Sequence, residues 1–134
     1  MAGTIVCDVI SDGAGNSTAT DNAIYGSAKA WVNFNGSTAA IRASYNISSI
    51  TRASTGYYTI NFTNTLADAN YCALGSYSCD GSTNYPAALG VNTNFSNVVV
   101  SPTSSAFTVT TGKLSSSGLG NAIDPTYVNI SVFR

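Results

Sequence analysis

The sequence predicts an all-β chain, an antiparallel β-sandwich of short strands preceded by an amino-terminal arm. Three observations lead there. Apolar and polar residues alternate with a period of two in five segments, the spacing of half-buried strands. Clusters of Gly, Ser, Asn and Asp separate those segments and supply turn chemistry. No segment carries a convincing helical period. At 134 residues and 44% hydrophobic content the chain has the size of one domain with a real core.

Taken in order, residues 1–28 open with strand-like "TIVCDVI" and continue through "SDGAGNSTATDNAIYGSA". They read as an arm and flexible linker that either pairs with a neighbouring subunit or trails as a disordered tail. The sandwich is expected over 29–134. "AWVNFNG" places Ala30, Val32 and Phe34 on one face and Trp31 and Asn33 on the other. "AIRASYNISSI" repeats this with Ile41, Ala43, Tyr45 and Ile47 toward the core, and "GYYTINFTNTL" with Tyr58, Ile60 and Phe62. "TLADANY" (65–71) is a connection or a single helical turn. Residues 71–97 read as one or more long loops. "SAFTVTTG" and "YVNISVF" close the core through Phe107, Val109, Val128, Ile130 and Val132. Turns are expected at 35–38, 52–56, 78–86 and 110–113.

Only 8% of the residues are charged, with a net charge of −1. No basic patch is present to neutralise phosphates, so nucleic acid is not an expected partner. No apolar run approaches the ~18 residues of a spanning helix, and the amino terminus lacks the charged and apolar regions of a signal peptide. Membrane insertion is therefore not expected. Weak charge repulsion favours assembly.

The chain has no His and no Glu, which removes His-based acid–base chemistry and nucleophile triads. The six Asp offer no flanking pair of the kind glycosidases use. Enzymatic activity is not expected. "DGAGNSTATDN" and "DGSTN" gather oxygen ligands, but neither matches a calcium loop, so turn chemistry explains them and neither a metal nor another cofactor is expected. Cys72 and Cys79 flank "ALGSYS" and either meet as a disulfide across a hairpin loop or remain, with Cys7, free thiols. In the 71–97 region Tyr77, Asp80, Asn84 and Tyr85 combine aromatic faces with polar neighbours, a mixture suited to binding a sugar or protein surface. The other reading is that these aromatics tuck beneath the loop as a satellite core.

Residues 26–77 resemble a β-module of bacteriophage tail fibres and other virion appendages, especially in phages of cyanobacteria and other aquatic bacteria. The resemblance rests on "KAWVNFNG", "IRASYNISSIT", "GYYTINFT" and "ADANY", in that order. It implies a non-enzymatic virion protein, commonly a homotrimer, exposed on the particle and assembled in the host cytoplasm, where thiols stay reduced. In that setting Ile5, Val6 and Trp31 become subunit-interface candidates, and Tyr77, Asp80, Asn84 and Tyr85 candidates for contacting a host polysaccharide or protein. Trp31 either faces another subunit or lies at the sandwich rim. The sequence has no fibre shaft, neither heptads nor a collagen period, so a capsid decoration protein is the alternative.

Overall fold

The computed structural model describes residues 3–78, 87–93, 99–115 and 118–134. The chain is mostly β, and its strand pairings are antiparallel. A small hairpin comes first, β1 (Val9–Ser11) with β2 (Ser17–Ala19), followed by the helix α1 (Thr20–Gly26). The region expected to be a flexible linker therefore holds a hairpin and a short helix. Periodicity missed the helix because it buries no residue and so has no apolar stripe.

The body is built from two sheets. One runs β4 (Ile41–Tyr45), β3 (Ala28–Phe34), β11 (Val128–Phe133), β7 (Cys72–Tyr77). The other joins β5 (Ile47–Ser54), β6 (Tyr57–Phe62), β8 (Ala87–Val91), β9 (Ala106–Ser115) and β10 (Gly118–Ala122) around the long β9. Thr110 pairs with Tyr57 on β6 and with Gly90 on β8, and Gly112 pairs with Ala88 on β8 and with Ala122 on β10. A residue has one ladder partner per side, so β6 and β10 follow one another along the same edge of β9, with β8 on the other.

Both sheets feed one core. Ala30, Val32, Phe34, Val128, Ile130 and Val132 enter from the first, and Tyr58, Ile60, Phe62, Phe107 and Val109 from the second. These are the positions that the period of two assigns inward. Aromatic edges link the sheets' contributions, with Phe34 and Tyr58 rings T-shaped at 5.1 Å. Edge-to-face contacts of this kind add about 0.5–1.5 kcal/mol to simple burial.

Three expectations differ. "AIRASYNISSI" is not one strand, because Asn46 takes a left-handed conformation (φ 56°) and splits it into β4 and β5 in different sheets. The Asn46 amide donates to the Lys29 and Asn64 carbonyls, while its side-chain oxygen accepts from Asn64 N–H. Asn is among the few residues that tolerate this conformation. As a result Ile41 and Tyr45 stay exposed and Ile47 is buried. Residues 110–113 are not a turn but the middle of β9, with Thr110 and Thr111 fully buried. The 71–97 region holds β7 and β8.

The β5–β6 turn requires glycine. Gly56 has φ +66°, and a Cβ there would meet Thr111 O at 2.3 Å and Ile123 O at 2.9 Å. Gly15, at φ +86°, has open space around it. Gly56→Ala is therefore expected to cost more than about 3 kcal/mol, adding a backbone clash to the left-handed penalty, whereas Gly15→Ala costs about 1 kcal/mol from conformation alone. Urea unfolding of the two variants measures the difference.

Candidate interaction surface

The same alternation that buries Ala30, Val32 and Phe34 turns Trp31 and Asn33 to the opposite face of β3. Trp31 is 40% exposed there. Register aligns it with Tyr45 on β4 and with Ser131 on β11, and Ser131 with Leu74 on β7. The row Tyr45–Trp31–Ser131–Leu74 thus crosses all four strands, and its three large side chains stay open to solvent. The next row contains Asn33 and Asn129, joined by an amide hydrogen bond of 2.5 Å. Beside these rows the Arg42 guanidinium lies 4.2 Å from the centre of the half-exposed Tyr127 ring, a cation–π contact.

The arm is the other unpartnered apolar surface. Ile5 and Val6 are 89% and 91% exposed, and Val9, Ile10, Ile24 and Tyr25 are exposed as well. The arm is ordered locally by polar contacts. Asp12 accepts from Ala14 N–H and Asn16 N–H, both at 2.9 Å, and from the Asn16 amide at 2.8 Å. The Asn16 side chain, aided by these backbone donors, holds the Asp12 carboxyl below the usual carboxylate range. Lys29 donates to the Ile24 carbonyl and to Ser27 Oγ. A lysine among the last carbonyls of a helix favours its negative end, which explains one of the chain's few cations.

Of the sequence candidates, Ile5, Val6 and Trp31 all lie on open surface. Tyr77 does not point from a loop. It ends β7 half-buried, donates its hydroxyl to the Gly112 carbonyl and accepts from Ala88 N–H at 2.8 Å, tying the first sheet to β8 and β9. Tyr71 packs edge-on against Phe62 and Phe107 and donates to the Thr103 carbonyl at 3.1 Å. Both tyrosines pack against the main core. Asp80, Asn84, Tyr85 and Cys79 lie outside the described residues, and with Cys79 the Cys72–Cys79 pairing. Cys7 and Cys72 are both exposed. Among the described residues no cluster of three or more acidic, His or Cys side chains is arranged to hold a metal.

The polar cluster that sequence reasoning missed centres on Asp124. Its carboxylate accepts from Arg52 Nε at 3.0 Å, Arg52 Nη2 at 2.5 Å, Gly56 N–H at 2.9 Å and Tyr58 Oη at 2.7 Å. Burial alone would raise the Asp124 carboxyl. The Arg52 guanidinium, Gly56 N–H and Tyr58 hydroxyl outweigh it, so the carboxyl titrates below its ordinary value. Burial and the Asp124 hydrogen bond push the Tyr58 phenol well up. An anion held by this many donors is a weak base, so the cluster's chemistry is structural. A second pair, Arg134 with Asp68, pulls Asp68 down to about 2.

The sign of the pH dependence follows. Carboxyls depressed in the folded state contribute stability that is complete above their unfolded value of 3.8 and is lost as pH falls through the folded value. Stability is expected to fall on acidification from about pH 4 toward pH 2. Asp124→Asn should lower stability at pH 7 by about 1.5–3 kcal/mol and flatten this acid limb. Asp68→Asn should do so far less at pH 7, because that pair is exposed. Urea titrations from pH 2 to 7 test both.

Comparison of the chain with protein-family models, curated proteins and solved structures gives no match.

Proposed function

We propose that this chain is a non-enzymatic structural module of a phage particle's exterior, the tip of a tail fibre or similar appendage. In this reading the two sheets form a β-sandwich, the protein is a homotrimer, and the arm docks to sister subunits or other virion proteins. Loops of the 71–97 region then contact a host polysaccharide or protein. The observation that carries the proposal is the pairing of a closed core with an arm whose large apolar side chains are solvent-exposed. Apolar side chains held in water favour an interface, and the aromatic row through Trp31 adds a second such area. The resemblance over residues 26–77 supplies the setting.

The apolar load of the arm also suits a capsid decoration protein, in which such an arm clamps neighbouring capsid subunits. Copy number separates the two. Quantitative mass spectrometry of purified particles should give a few per cent of the major capsid protein for an appendage tip. A ratio between one-to-one and one-to-three would place the chain on the head and overturn the tip assignment. Absence from particles would overturn the virion role itself.

If Trp31 lies in a subunit interface, Trp31→Ser should raise the self-association Kd by at least about tenfold and leave the far-UV spectrum unchanged. Analytical ultracentrifugation measures the first and circular dichroism the second.

A further inference from the structure

The arm and the edge of the first sheet are complementary in charge and in spacing. Residues 3–28 carry Asp8, Asp12 and Asp21 and no cation. β4 pairs only with β3, so its other edge is open among the described residues, and all five of its residues are exposed. An open edge presents unpaired N–H and C=O groups ready to accept another strand. β4 carries neither Pro nor Lys, and its one charge, Arg42, sits at a register shift between the Asn33–Ala43 and Phe34–Ile41 pairs. Arg42 rests on the Tyr127 ring and has no carboxylate partner among the described residues.

Residues 3–7 of the arm lie outside helix and strand. Thr20 holds their base, taking the Cys7 carbonyl with its hydroxyl at 2.6 Å and the Asp8 carbonyl with its N–H at 2.9 Å. Asp8 and Ile5 are three residues apart, as are Arg42 and Tyr45, in the opposite chain direction. An antiparallel alignment that sets Ile5 beside Tyr45 therefore brings Asp8 to Arg42, the residue left without a β3 partner at the register shift. Cys7 then falls beside Ala43, and Val6 beside Ser44. Ile5 would extend the exposed row through Tyr45 and Trp31 by one strand.

We propose that residues 3–8 of one copy add as an antiparallel strand to the open β4 edge of a second copy, with Asp8 meeting Arg42 and Ile5 meeting Tyr45. This rests on the assembly role proposed above and names the surface that the arm occupies. The contact joins two different surfaces, so copies joined in this way close into a ring, such as a trimer, exchange arms as a pair, or propagate as an open chain.

The test uses the full chain with Cys72→Ser and Cys79→Ser. One version keeps Cys7, and the other carries Cys7→Ser with Ala43→Cys. Mixed and treated with a short bismaleimide, the two should form a crosslinked two-chain product. Light scattering should show a mass above one chain. Asp8→Arg should weaken association at least about tenfold by setting like charges together, and Asp8→Arg with Arg42→Asp should restore it. These sites lie outside the core, and circular dichroism checks that each variant is folded. A monomer at all concentrations overturns the proposal. So does an oligomer that neither crosslinks nor responds to Asp8→Arg, or a chain carrying both thiols that links only within itself. A chain that is present in particles yet monomeric when pure would remove this arm contact and leave the virion reading standing. An arm-linked oligomer absent from particles would do the reverse.

Discussion

One carboxylate holds the ends of several elements together. Asp124 sits in the connection before β11 and takes donors from β5 (Arg52), the β5–β6 turn (Gly56 N–H) and β6 (Tyr58 hydroxyl). Its neighbours extend the clasp. The Pro125 carbonyl accepts Gly36 N–H at 2.8 Å, and the Ile123 carbonyl accepts the Thr111 hydroxyl at 2.7 Å. The β3–β4 turn, the β5–β6 turn and the centre of β9 thus converge on residues 123–125. Tyr58 completes the link, because its ring is buried against Phe34 while its hydroxyl reaches the carboxylate. A buried phenol needs such a partner, since leaving its hydroxyl unpaired costs about 1–3 kcal/mol.

The clasp also explains the local glycine use. A Cβ on Gly36 would lie 2.6 Å from the Tyr58 hydroxyl and 2.7 Å from the Pro125 carbonyl. Gly56 approaches Thr111 in the same way. The backbone therefore comes as close to the clasp as a side-chain-free residue permits. At the opposite end the polar corner is Asn46, whose side chain bridges Lys29 and Asn64 as the chain leaves one sheet for the other. Between these two polar ends lies a core of aliphatic and aromatic side chains. The interaction surface is what the arrangement leaves over: the outward row on β3 and its neighbours, the open β4 edge and the arm.

How far the sequence was legible depended on the range of the interaction. The strand residues whose alternation buries one face could be read directly, and Ala30, Val32, Phe34, Tyr58, Ile60, Phe62, Phe107, Val109, Val128, Ile130 and Val132 join Ile47 in the core. Trp31 could be read as outward from the same pattern. Tyr45 could not, because its alternation continues smoothly into Ile47, and only the left-handed Asn46 shows that the two belong to different sheets. Tyr77 read as a loop aromatic because its strand, β7, is poor in β-branched residues and contains Gly75. Asp124 carried no local signal of its role, since Arg52 stands 72 positions away.

The sequence by itself determined the β class, the inward faces of the main strands and the poverty of charge that limits the chemistry available. These are properties of near neighbours, where side-chain direction alternates with every residue and needs no knowledge of distant partners. Tertiary structure alone decided which strands share a sheet, that Thr110 and Thr111 lie at the centre of one, and that Asp124 is a clasp. It also decided which apolar residues were left outside. Such outcomes depend on which distant segments fill the space beside a residue: Ile47 has the core beside it, while Tyr45, two residues earlier, has solvent.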